Sequence, residues 1–311
     1  MNNNPFSKKT FSFLLIPFLA ILFLLFAKFT TGIRPDHYLL VAIIITFYYI
    51  SSFTRRLITG LAIIIVYWII FDSMKACPNW AFNDVDIQPL YDFEKKLFGI
   101  IINGDTLVPN EYFLLHTSVA ADIICGIFYL GWMPLPLLFA FYLYFKNKNL
   151  FLRFCMAFFI VNIFGFIIYY AHPAAPPWYY LEHGNLLDVN TKSNAAGLLR
   201  FDQFFGINLF ENLYSKGSNV FAAMPSLHAS YPLIGLFYAF KQPLKWMRVV
   251  FAVVMCGIWF AAIYLTHHYI LDVIAGIGCG LLGIFVFEKV LLNNKIFKRF
   301  IMKYEKIISA S

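Results

Sequence analysis

Apolar runs close to the length of a bilayer crossing recur along this chain, and they carry almost no charge. A helix needs about 20 apolar residues to cross hydrocarbon. Pieces of a soluble core rarely reach that length without charge, and here they follow one another from end to end. The sequence therefore predicts an all-α polytopic membrane protein with about eight transmembrane helices. Composition agrees, with 61% hydrophobic and 13% charged residues among 311, and argues against a soluble multidomain chain.

The runs divide the chain. A three-span unit over 1–72 holds Phe11 to Ala27, His37 to Phe53 and Leu57 to Asp72. No small-x-small cleavage site follows the first run before Lys28, so it reads as an anchored helix. Residues 73–112 are too polar to span and read as an outer interfacial segment, with Tyr91 to Phe98 a short amphipathic helix. The core is expected over 113–288. Phe113 to Phe145 is mostly apolar for 33 residues, and Gly131, Pro134 and Pro136 predict an approach helix and one bent span. Leu152 to Ala171 makes the fifth span and 172–220 a turn-rich outer loop. Leu227 to Phe240, Val249 to Leu265 and Tyr269 to Glu288 supply three more. A basic tail, 289–311, ends the sequence.

Charge predicts orientation. With the N-terminus inside, 16 of the 24 Lys and Arg residues face one side, while the two long loops hold six: Lys75, Lys95, Lys96, Lys192, Arg200 and Lys216. Short loops rich in Lys and Arg belong in the cytoplasm, so both termini are expected there and both long loops outside. This asymmetry accounts for the net charge of +8, and no nucleic-acid motif is present. The five cysteines have no paired spacing and imply neither a disulfide framework nor zinc.

The chemistry concentrates between Ala222 and Gly276. Met224-Pro225-Ser226-Leu227-His228 opens one apolar segment, Lys241, Lys245 and Arg248 mark the return, and His267-His268 with Asp272 follows the second. Both ends of this hairpin lie on one side of the membrane, which brings His228 and His268 to similar depth. His268 and Asp272 are spaced i, i+4 and share a helix face. The carboxylate can accept from one ring nitrogen and leave the other free as nucleophile or base. An ionisable pair within a span is costly, which favours function. Pro225 and Ser226 suit the first positions of a helix, whose free amides favour phosphate. Together these residues describe a phosphate-handling site on the outer side. The cluster of His228, His267, His268 and Asp272 is also open to a metal reading.

Pro225-Ser226-Leu227-His228 resembles the second signature of the type 2 phosphatidic acid phosphatase superfamily, and His268 with Asp272 the His-x-x-x-Asp of its third. More narrowly, His172-Pro173-Ala174-Ala175-Pro176-Pro177-Trp178-Tyr179, Ala223 to His228 and Tyr264-Leu265-Thr266-His267-His268-Tyr269 resemble the inositol phosphorylceramide synthases. The likeness covers roughly Phe151 to Gly280 and the span order before it. The phosphatase pattern has Ser-Arg seven and six residues before the third-signature histidine, where this chain has Ala261 and Ala262. That departure is compatible with the synthase branch, and Arg200 and Lys216 are the candidate replacement cations.

The resemblance implies a lipid phosphotransferase moving phosphoinositol from phosphatidylinositol to ceramide. His268 would become a phosphohistidine supported by Asp272, with His228 protonating the leaving alcohol and deprotonating the incoming one. Ser226 and nearby amides would hold phosphate oxygens, and Pro225, His267, Trp178 and Tyr179 complete the expected substrate-binding set. No cofactor or metal is implied; the expected partners are lipids in the membrane. A lipid phosphatase is the alternative. A transporter is more distant, because the polar residues gather at one boundary rather than at the bilayer midplane. Asp122, in the fourth segment, is expected to pair with a neighbour or to bind a lipid hydroxyl. Pro176 to Tyr179 reads equally as a stiff turn or a lid. An outward site means periplasm, or lumen in a eukaryote; oligomeric state is not legible.

Overall fold

The computed structural model describes residues 8–309 apart from 216 and 218, and of residues 8–13 the backbone only. Lys216 therefore lies outside the described residues. The chain divides into two compact units, 1–77 with 303–311, and 78–302.

The first unit contains α1 (Lys8–Phe29), α2 (Pro35–Ile50) and α3 (Ser52–Ser73). Pro35 starts α2 where its missing N–H costs nothing. Ser51 opens α3 through a reciprocal cap, its Oγ accepting from the Thr54 amide at 3.1 Å while Thr54 Oγ1 accepts from the Ser51 amide at 3.1 Å. Phe18, Ile21, Leu25, Leu39 and Ile43 are exposed on these helices, as side chains facing hydrocarbon must be. Arg34 donates to both Asp72 oxygens at 2.7 Å, and Lys75 approaches the same carboxylate at 3.0 Å. His37 is buried and lies 3.1 Å from Asp72 Oδ2.

The second unit begins with α4 (Gln88–Phe98), a short hairpin of β1 (Ile100–Ile102) and β2 (Asp105–Leu107), and α5 (Pro109–Leu115). The strands pair antiparallel with Ile101 opposite Thr106. α6 (Val119–Leu130) and α7 (Pro134–Lys146) are the two halves of a span bent by 40°. The break falls at Gly131 to Met133, just ahead of Pro134, as the sequence predicts. Then come α8 (Lys148–Ala171), α9 (Pro177–His183), α10 (Leu199–Phe205), α11 (Leu209–Tyr214), α12 (Leu227–Ala239), α13 (Lys245–Tyr264) and α14 (Ile270–Phe285). A final helix, α15 (Lys295–Ser309), runs from this unit into the first.

α12 is the axis of the second unit, with α13, α14, α8 and α7 packed around it. Its Tyr231, Ile234 and Tyr238 are buried. Tyr231 donates to Asn162 Oδ1 at 2.6 Å and Ser230 to the Gly276 carbonyl at 2.6 Å, so the polar groups of this core are paired. At the end of α12 remote from His228, Glu288 gathers Arg153, Lys241 (2.6 Å) and Tyr238 (2.7 Å). The helix thus separates a histidine end from a charge-paired end.

Among the described residues four helices are long and apolar enough to cross a membrane, or five counting the bent pair, rather than about eight. The difference lies in length. α2 has 16 residues and α12 only 13, or about 20 Å of rise. The apolar part of α1 within the described side chains is Leu14–Phe29.

Candidate active site

The end of α13 builds the site. Thr266 adopts a left-handed conformation (φ 60°), and the amides of His267 and His268 both return to the Ala262 carbonyl at 3.0 Å. A β-branched residue rarely holds this backbone unaided. Here the Trp178 amide donates to the Thr266 carbonyl at 3.1 Å. The chain then restarts as α14, with Asp272 in its first turn accepting from the Tyr269 amide at 2.8 Å. Ala261 and Ala262, where the superfamily pattern has Ser-Arg, are buried at this turn.

α12 meets this turn end-on. The Ser226 amide donates to the Asp272 carbonyl at 2.9 Å, and Tyr169 donates to the Pro225 carbonyl at 3.1 Å. His228 Nδ1 then lies 3.2 Å from His268 Nε2. Asp272 Oδ2 lies 3.5 Å from the other nitrogen of His268, Nδ1. Asp272 is fully buried and His268 is 5% exposed. Ser226 Oγ is buried without a hydrogen-bond partner among the described residues. The first amides of α12 have no acceptor within their own helix. An unspent hydroxyl and a helix start thus share one site with a histidine pair, an arrangement chemically able to serve as an oxyanion cradle next to a nucleophile and a proton carrier.

The remaining sequence-predicted residues fall in different places. His267 turns away from the pair: Nε2 lies 3.1 Å from the Ala195 carbonyl, and its ring stacks between Tyr129 (5.1 Å between centroids) and Tyr214 (4.8 Å). Arg200 donates through Nε to Asp122 at 2.7 Å, and Tyr264 donates to the same carboxylate at 2.9 Å. Asp122 thus has the neighbour expected for it, and Arg200 is held by an acid, with its Nη2 buried and unpartnered among the described residues. Trp178 and Tyr179 are buried with Ile87, Ala175 and Phe221. Tyr179 donates to the Leu186 carbonyl at 2.8 Å.

The segment before them is a strap. Ala174 bridges in parallel to Asp86 on one side and Ala222 on the other. Its amide donates to the Phe221 carbonyl at 3.0 Å and its carbonyl accepts from Ala223 at 3.2 Å.

Four residues at the site escaped sequence reasoning. Tyr129 and Trp132 pack on the His228 ring at 5.2 and 4.6 Å between centroids. Trp132 lies in the break between α6 and α7. Glu94 and Asn110 reach the site from the outer segment. Glu94 accepts from the Ile270 and Leu271 amides at 2.9 and 3.1 Å, and Asn110 Nδ2 donates to the carbonyls of Ile263 (2.8 Å) and His268 (3.0 Å). The one sequence signal was an acid on the inner face of a short amphipathic helix.

Comparison with known proteins gives the family. The PAP2 superfamily matches residues 101–286. A phosphoinositol dihydroceramide synthase of Bacteroides thetaiotaomicron is 42% identical over 306 residues, 98% of this chain and 99% of that one. The inositol phosphorylceramide synthase catalytic subunit of Saccharomyces cerevisiae is 36% identical over 118 residues, 37% of this chain and 29% of its own. The Candida albicans inositol phosphorylceramide synthase is 32% identical over 211 residues, 63% of this chain and 42% of its own. No solved structure matches. Matched by the family over more than half its length, and by a relative from end to end, this chain belongs to the PAP2 superfamily.

Proposed function

We propose that this membrane enzyme transfers phosphoinositol from phosphatidylinositol to the primary hydroxyl of a ceramide or dihydroceramide. The observation that carries the reading is the His228–His268 pair, 3.2 Å apart, with Asp272 behind one ring and the unpartnered Ser226 hydroxyl beside the other. The relatives named for this chemistry supply the donor and acceptor classes.

In the first half-reaction the two rings, whose facing nitrogens lie 3.2 Å apart, part to admit the donor phosphoryl group between them. His268 Nε2 attacks phosphorus, the bond to diacylglycerol breaks, and His228 gives its proton to the departing oxygen. Asp272 keeps the His268 proton on Nδ1 and supports the cationic ring, the role a buried carboxylate plays in other histidine pairs. Ser226 Oγ and the first amides of α12 receive the equatorial oxygens. In the second half-reaction His228 takes the proton of the ceramide hydroxyl, whose oxygen attacks phosphorus and frees His268. Burial of the pair favours a lipid acceptor over bulk water.

Arg200, through its unpartnered Nη2, is proposed as the cation nearest the phosphate in place of the Arg missing at 262. Trp178 and Tyr179 act as the wall behind the strap, and His267 as a fixed ring that orients its neighbour. The distribution of basic residues supports a topology with both termini in the cytoplasm and the histidine end outside.

The test is a product assay on purified protein with inositol-labelled phosphatidylinositol, with and without ceramide, beside His268→Ala. Labelled inositol phosphoceramide that requires ceramide and disappears in the variant supports the reading. Water-soluble phosphate or inositol phosphate released regardless of ceramide makes the enzyme a hydrolase and refutes it.

A further inference from the structure

We propose that Glu94 and Asn110, both from the outer segment, are positioning residues that fix the main chain on either side of the His268–Asp272 pair.

Glu94 is fully buried, whereas Asp92, Phe93, Lys96 and Leu97 of the same helix are exposed. α4 therefore turns this one acid inward. Its carboxylate spends one oxygen on the Ile270 amide and the other on the Leu271 amide, the two residues between the Tyr269 cap and Asp272. Glu94 pairs with no cation among the described residues; the charged group that acts on it is Asp272, of its own sign. A buried carboxylate without a counter-charge is an expensive way to stabilise a helix start. Asp272 already caps that start locally through the Tyr269 amide. What the second carboxylate adds is position, because it grips two of the four peptide units that separate nucleophile from partner.

Asn110 acts from the other side. Its side-chain amide donates to the carbonyl of Ile263, in the last turn of α13, and to that of His268, so it staples the turn shut across the left-handed Thr266. The backbone at His268 is then held at its own amide by Ala262, at its carbonyl by Asn110, and just beyond by Glu94. The main chain that carries the imidazole is thereby kept from translating, while the ring itself lies between His228 and Asp272. A phosphorylated ring must present the same nitrogen to two different alcohols, and displacements near 1 Å suffice to slow such steps about 100-fold. There is a further effect. With Glu94 on the first two amides of α14 and Asp272 on the Tyr269 amide just before them, most of that helix start is already spent, which leaves the start of α12 as the better anion site.

The proposal rests on the phosphotransfer reading, and one set of rates separates the two. Full-length protein in mixed micelles is assayed for kcat and for KM toward phosphatidylinositol and ceramide, as parent, Glu94→Gln, Glu94→Ala and Asn110→Ala. Gln keeps the shape and one acceptor oxygen, so kcat falls about 10-fold in Glu94→Gln and about 100-fold in Glu94→Ala and Asn110→Ala. KM for both lipids stays within about twofold, because the groups touching substrate are unchanged. A raised KM with parental kcat overturns the proposal. So does Glu94→Gln with parental kcat, whether Glu94→Ala folds or not. A parent inactive toward phosphatidylinositol sinks the functional reading instead; if it hydrolyses another lipid phosphate, the same comparison of variants is made on that reaction.

Discussion

Gly276→Ala is the substitution that most directly probes how the two catalytic helices meet. An added Cβ at 276 lies 2.1 Å from the Ser226 carbonyl oxygen, 2.9 Å from its carbon and 3.3 Å from the Ala229 Cβ. Carbon–oxygen contacts settle near 3.3 Å, so the α12 start must retreat by about 1.2 Å. The obstacle is backbone, which cannot swing aside as a long side chain can. Overpacking of this kind costs about 1–3 kcal/mol of stability. The same displacement carries Ser226 and His228 away from His268, and about 1 Å of misplacement costs about 100-fold in rate, or about 2.7 kcal/mol of barrier. Gly278 is the control: two residues along the same helix, with nothing within 4 Å of its added Cβ. Gly278→Ala should be stable or gain about 0.5–1 kcal/mol and keep its rate. The assay is initial-rate transfer at saturating lipid, paired with thermal unfolding in detergent. Equal kcat in the two alanine variants refutes the argument that close contact at Ser226 sets the catalytic geometry.

Three other expectations are direct. Asp272→Asn preserves volume but not charge, and should lower kcat by about 10²–10⁴-fold with folding intact, read by rate and by circular dichroism. Arg200→Met strands the mostly buried Asp122 carboxylate and should cost about 3 kcal/mol or more in thermal unfolding, while the double variant Asp122→Leu/Arg200→Met recovers most of it. Burial pushes the Glu94 carboxyl up to about 7 from its ordinary 4.5, against the pull of two amide hydrogen bonds. Its folded form therefore holds a proton that the unfolded chain has released. That stability is fully present below about pH 4.5 and is lost as pH rises through about 7. Between pH 5 and 8 the parent should lose more stability than Glu94→Gln, as unfolding temperatures in detergent will tell.

The reacting centre was legible because its signals are local. Pro225 and Ser226 mark a helix start, and His268 and Asp272 stand one helical turn apart. The hairpin between Leu227 and Leu265 returns the second histidine to the first. Its supports were not legible, because they come from far along the chain. Glu94 grips Ile270 across 176 residues, and Asn110 reaches His268 across 158. Neither spacing nor periodicity encodes such pairs. Arg200 was identifiable as a cation of the outer loop, but its engagement with Asp122 depends on α10 packing against α6, which the sequence does not announce. Hydropathy registers the apolar character of α12, while its 13-residue length follows from the turn on either side.

The Ala174 strap has a consequence for how the protein is made. One edge of this extended segment pairs with residues around Asp86 and can close as soon as Ala175 has been synthesised. Its other edge waits for Phe221 and Ala223, almost fifty residues later. Through that interval the strap presents an unpaired edge at the membrane surface, the kind of edge that invites wrong partners. The strap is therefore closed by the segment that leads into His228, and the candidate site is completed only later in synthesis, when His268 and Asp272 have followed.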